Sequence, residues 1–108
     1  MGREEEQERA VRLTDRYGHT LRGSDVTVTR FAELFDALDS SDEEHCSLSV
    51  TDSDDWNLAV YPDFLTFENL EGELVGRVTD PTRDDVMAIV QEFISGDFEA
   101  LRVRGWRK

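Results

Sequence analysis

Apolar positions along this chain follow two different periods. Phe31, Leu34, Phe35 and Leu38 recur at i, i+3, i+4 and i+7, which predicts one stripe of a helix over Arg30–Leu38 with Thr29 as its N-cap. Val86, Ile89, Val90, Phe93 and Ile94 repeat the pattern. That second helix is opened by Asp80-Pro81-Thr82, with Thr82 as N-cap and Asp85 in capping-box position, and Gly96 is its stop. Between the two helices the period drops to two. Leu48 and Val50 share a face of a strand over 47–51, and Trp56, Leu58 and Val60 share a face over 56–61. Leu65 with Phe67, and Leu74 with Val78, do the same over 64–69 and 73–79. The connectors Asp52-Ser-Asp-Asp, Pro62-Asp63 and Glu71-Gly72 are short and turn-like, so the four strands form an antiparallel meander.

The flanks are weaker. Residues 10–17 suggest a short first strand, Gly18 and Gly23 bracket a hairpin-like loop, and β-branched Val26–Thr29 reads as a continuing strand. Phe98–Trp106 reads as a last strand, with Leu101 and Val103 on one face and Arg102, Arg104 and Trp106 on the other. The expected class is α+β: a four-strand meander plus a C-terminal strand, with both amphipathic helices packed on one face. The other face is then solvated or covered by a partner.

A chain of 108 residues makes one domain, expected over 10–108, after a charged lead-in at 1–9 of the kind that frays. No apolar run is long enough to span a membrane. The start has neither an apolar h-region nor the Ser/Thr of a myristoylation signal. Cys46 is the single cysteine, which fits a reducing, cytoplasmic setting.

Charge sharpens the picture. From Phe31 to Gly76 there are 13 acidic residues and no Lys or Arg, so the net charge of −13 resides there. The other 12 acids balance the 12 basic residues, which are 11 Arg and one Lys. Such a surface repels nucleic acid and anionic membrane. It also places Asp39, Asp42, Glu43 and Glu44 after the first helix, where carboxylates oppose the helix dipole. Internal ion pairs must come from distant residues such as Arg77, Arg83 or Arg102.

Catalytic motifs are absent: there is no glycine-rich phosphate loop and no Gly-x-Ser-x-Gly elbow. His45-Cys46 would point to opposite faces of a strand, which disfavours a nucleophilic pair. Asp52-Ser-Asp-Asp-Trp-Asn imitates a calcium loop but puts Trp56 at a ligand position and Asn57 where the glycine belongs. One Cys and two His do not make a zinc site. No enzyme, metal or cofactor is therefore expected. The basic Arg102–Lys108 tail is expected to fold back on the acidic body, or to place Trp106 over the sheet edge, rather than to bind nucleic acid.

The meander, the Pro81-Thr82-Arg83-Asp84-Asp85 helix start, the Ser95-Gly96-Asp97 stop and the terminal Gly105-Trp106 give residues 30–106 a family likeness. In size, charge and layout the chain resembles the small acidic α+β immunity proteins of bacterial polymorphic-toxin and contact-dependent-inhibition systems. That resemblance implies a non-enzymatic protein that binds and blocks a toxin domain, often a basic nuclease, and it carries over no individual residue. The leading expectation is a non-catalytic binding protein whose acidic face captures a basic protein. Its contact residues would be Asp39, Asp42, Glu43, Glu44, Asp52, Asp54, Asp55 and Tyr61, the last an aromatic inside the acidic block. Two alternatives stand beside it. One is a housekeeping or structural domain of a salt-adapted or GC-rich organism, acidic for solubility and able to form a homodimer. The other is a small enzyme or ligand carrier with a helix–sheet pocket.

Overall fold

The computed structural model describes residues 9–39, 41–42 and 44–107. The chain is α+β, with strands β1 (Val11–Thr14), β2 (Thr20–Arg22), β3 (Leu48–Asp52), β4 (Trp56–Val60), β5 (Phe64–Asn69) and β6 (Glu73–Thr79). They form one sheet in the order β2-β1-β3-β4-β5-β6, every neighbouring pair antiparallel. The helices are α1 (Val28–Asp36), α2 (Arg83–Ser95) and α3 (Phe98–Arg102).

The meander forms where the period-two pattern places it. Leu13, Val50, Leu58 and Phe67 lie in one register row across the sheet, and Leu48, Val60 and Leu65 in the next. All are buried, against Phe31 of α1, Val86, Ile89, Val90 and Phe93 of α2, and Leu101 of α3. The helices therefore cover a single face. Fully burying one such aliphatic or aromatic side chain contributes on the order of 1.5–3 kcal/mol.

α2 matches its sequence signals. Thr82 Oγ1 accepts from the Asp85 N–H at 3.0 Å, the reciprocal bond closes the capping box, and Gly96 ends the helix at φ 80°. α1 starts earlier than expected. Thr27, not Thr29, is its cap, accepting from the Arg30 N–H at 3.1 Å. Val26–Thr29 is thus a helix start rather than a strand. The shift brings Val28, one turn before Phe31, into the apolar stripe against the core.

Three further expectations are corrected. The sheet has six strands, because the connection at 18–23 folds into β2 and pairs with β1. Its turn is held by the Asp15 carboxylate, which accepts from the Tyr17 and His19 N–H groups at 2.9 and 2.8 Å. The last segment is not a strand. Asp97 caps the Ala100 N–H, and Phe98 and Leu101, three apart, turn inward on a short helix, leaving Val103 85% exposed. Finally, Leu74 and Val78 do not share a face. A bulge in β6 pairs Phe67 with Gly76 but Glu68 with Leu74, so alternation inverts and Leu74 points away from the core, 40% exposed.

The tail after α3 returns to the sheet edge, one of the two placements expected for it. Arg77 and Arg107 exchange backbone hydrogen bonds beside β6, and the Trp106 indole packs 5.4 Å from the Phe67 ring and donates to the Leu101 carbonyl. Gly76 permits this approach. A Cβ there would lie 2.7 Å from Trp106 Cβ and 2.9 Å from the Arg107 backbone. Arg104 fixes the tail to α2 with two bonds of 2.8 and 2.7 Å to the Glu92 carboxylate. Among the described residues no helix is long and apolar enough to cross a membrane.

Two outcomes follow for stability. Gly76→Ala lowers it by about 2 kcal/mol or more, because neither backbone nor indole can yield cheaply; denaturant titration followed by tryptophan fluorescence reads both the loss and the displaced Trp106. The Arg104 hydrogen bonds hold the Glu92 carboxyl below its ordinary value of 4.5 against the opposing effect of burial. The pair's contribution, about 1 kcal/mol, is present above that ordinary value and is lost as pH falls through the lowered one. Wild type and Glu92→Gln should therefore differ in melting temperature at neutral pH and converge in acid.

Candidate functional site

The registers sort the connections into two ends of the molecule. Thr14 pairs with Ser49, Leu48 with Val60, and Phe64 with Thr79. The β1–β2 turn, the α1–β3 loop, the β4–β5 turn and the β6–α2 connection therefore gather at one end. Across the length of the strands, the β2–α1, β3–β4 and β5–β6 connections gather at the other.

Both ends are acidic, the far connections carrying Asp25, Asp54, Asp55 and Glu71 with no Lys or Arg; the first end, termed the acidic pole, also gathers aromatic side chains. Among the described residues its connections carry Asp15, Asp39, Asp42, Glu44, Asp63 and Asp80 against Arg16 as the only Lys or Arg. Two of these turns are joined, since the Asp80 N–H donates to the Asp63 carbonyl at 2.8 Å, with Asp80 at φ 54°. Aromatic side chains stand among the acids. Tyr61 and Phe64 stack at 4.3 Å and 10° across the β4–β5 turn, and Tyr17, 58% exposed, lies 5.2 Å from the His45 ring.

The pole is only partly neutralised from within. Arg83, from α2, makes two 2.9 Å bonds to Asp36 at the end of α1 and holds that carboxyl below its usual range. This is one of the distant arms expected from sequence. The Asp39 carboxyl is also held low, by the Ser41 hydroxyl at 2.7 Å and the Ser41 N–H at 3.0 Å. His45 Nδ1 sits 3.2 Å from both Asp42 oxygens. Glu44 and Asp63 are exposed and make no ion pair to a described residue.

The expected contact residues thus separate. Asp39, Asp42, Glu44 and Tyr61 come together at the acidic pole, while Glu43 lies outside the described residues. Asp54 and Asp55 lie at the far end, in the β3–β4 turn. Their backbone carbonyls accept from the Asn69 side chain and the Leu70 N–H, at 3.1 and 2.8 Å. Asp52 leaves the surface altogether. It is 1% exposed, and its carboxylate accepts from Arg9 Nε at 2.8 Å and from the Asp54 and Trp56 N–H groups at 2.9 and 3.0 Å. All of its bonds run inside the chain, so it is not available to a partner. The resemblance of 52–57 to a calcium loop dissolves into this turn. Of the charged lead-in expected at 1–9, only Arg9 is among the described residues, and it is anchored.

Sequence reasoning missed Asp63, Asp80, Tyr17 and Phe64 as members of the pole. The turn signals at 62–63 and 80–81 were visible, but only strand register shows that they share an end. Among the described residues no three His, Cys, Asp or Glu side chains converge as a metal site would require. An open cavity of about 390 Å³, lined by Arg9, Ala10, Val11, Gly23, Val26 and Ile94, offers one charged side chain, and that one is paired. Set against protein-family models, curated proteins and solved structures, the chain matches none of them.

Burial separates structural from surface carboxylates in a measurable way. Asp52→Ala strands the Arg9 guanidinium and two backbone donors, and costs about 3 kcal/mol. Glu44→Ala and Asp63→Ala stay within about 0.5 kcal/mol. Chemical denaturation of the three variants checks the contrast.

Proposed function

We propose that this chain is a non-catalytic binding protein that captures a basic protein on its acidic pole. The observation that carries the reading is the gathering of six acidic residues in the connections at one end, where Arg16 is the only Lys or Arg of those connections and Arg83 and Arg77 reach in from α2 and β6, around the exposed Tyr17 and the stacked Tyr61–Phe64 pair. Concentrated negative charge steers a cationic partner into encounter, and aromatic side chains within it supply the short-range contacts that hold the complex. The contact set is Asp39, Asp42, Glu44, Asp63, Tyr17 and Tyr61. Glu43 joins by sequence position, and Asp52 is dropped because it is buried. A toxin domain with a basic nucleic-acid-binding face is the partner class suggested by the resemblance to immunity proteins.

Charge reversal at the two ends provides the test. Tagged wild type should retain a basic protein at low salt and release most of it at high salt. Asp39→Lys, Asp42→Lys and Glu44→Lys combined should weaken retention by about tenfold or more. Asp54→Lys with Glu71→Lys, at the far end, should leave retention close to wild type. Equal losses from both sets would show a non-specific charge effect and overturn the assignment of the pole. Recovery of nothing basic would leave the acidity as a solvent property.

A further inference from the structure

The sheet face that no helix covers carries a self-complementary row of side chains. Strand register aligns Arg22, Arg12, Thr51, Asn57, Glu68 and Leu74 across all six strands, all on the face opposite Leu13, Val50, Leu58 and Phe67. Positive charge sits at the β2–β1 side and negative charge at the β5 side. A hydrogen-bonded relay lies between them: Thr51 Oγ1 donates to Asn57 Oδ1 at 2.7 Å, and Asn57 Nδ2 donates to Glu68 Oε2 at 3.1 Å. Thr51 and Asn57 are themselves buried, and the relay fixes the Glu68 carboxylate at its end.

Arg12 makes no ion pair to a described residue. Glu68 cannot reach it, because three strand spacings, about 14 Å, separate β1 from β5. The neighbouring row, Thr20, Thr14, Ser49, Ala59, Thr66 and Arg77, consists of short side chains as far as β5, and the Tyr61–Phe64 stack stands beyond it on the same face.

We propose that this face pairs with a second copy of the chain, through a two-fold axis parallel to the strands and passing between β3 and β4. Such an axis reverses strand order while keeping position along the strand. It therefore sets Arg12 of each copy against Glu68 of the other and lays each Arg22 stem over Leu74. The two copies contribute the same patch, as an isologous dimer requires. Six strands give a footprint of roughly 24 Å by 17 Å, about 400 Å² per copy, below the size of a standard stable interface, so the dimer is weak and concentration-dependent. The net charge of −13 opposes it over long range, which physiological salt screens beyond a Debye length of about 8 Å. This surface adjoins the acidic pole at Tyr61 and Phe64 but carries none of its acidic residues.

Sedimentation equilibrium of the full chain across the micromolar range, in physiological salt, tests the proposal. Wild type should show a monomer–dimer equilibrium. Arg12→Glu alone and Glu68→Arg alone should each weaken it by roughly thirtyfold, because each sets like charges together at two symmetric places. Mixing the two variants should restore a dimer containing one chain of each, since both cross-pairs become attractive again. Damage to folding could not be repaired by mixing, and Arg12→Ala with Glu68→Gln gives milder versions should either variant unfold. A wild-type chain that stays monomeric throughout, or single variants that associate as well as wild type, would overturn the proposal.

Discussion

The arrangement depends on one carboxylate that water does not reach. Asp52 closes the β3–β4 turn by accepting from two backbone N–H groups, and its remaining lone pairs hold Arg9. Arg9 then serves three elements at once. It donates to the Ile94 carbonyl near the end of α2 at 3.1 Å and lies 4.9 and 5.0 Å from the Phe93 and Phe98 rings. A cation at that helix terminus is favourable, and the two rings supply an apolar bed for its planar face. Sheet end, α2 and α3 are clasped by a residue that the sequence places inside a charged lead-in.

The same logic governs the rest of the charge. Negative residues are too many to be neutralised within a chain this short, so the fold spends its few arginines where they join elements: Arg83 ties α2 to α1, and Arg104 ties the tail to α2. What remains stands in the loops at both ends: Asp39, Glu44 and Asp63 at one, and Asp25, Asp54, Asp55 and Glu71 at the other, make no ion pair to a described residue. On the sheet face that no helix covers, Arg12 and Glu68 lie three strands apart and cannot meet within one molecule.

Much of this architecture was legible in the sequence. Strong periodicity placed β3 to β6 and α2, and the Thr82–Asp85 capping box and Gly96 fixed α2 at both ends. The failures have physical causes that pattern alone does not carry. Thr27 and Thr29 are equivalent as caps until Val28 finds the core. Phe98 to Trp106 alternates and also satisfies i, i+3, and the Asp97 cap decides for helix. Leu74 and Val78 alternate correctly until a bulge shifts the register between them. At the candidate site the acidic block was evident from composition. Its division into two ends was not, because that follows from strand register, and the burial of Asp52 follows from an arginine 43 residues away.

The strand order also shapes how the chain can fold. β3 to β6 pair with their sequence neighbours through short turns, so this meander closes small loops and can assemble early. The β1–β2 hairpin is local as well, yet β1 must find β3 across the whole of α1 and the acidic loop. On a ribosome the hairpin emerges first and waits for a docking edge until β3 has been made. The Arg9–Asp52 pair forms only when these two halves meet, which makes it the closing step that joins them.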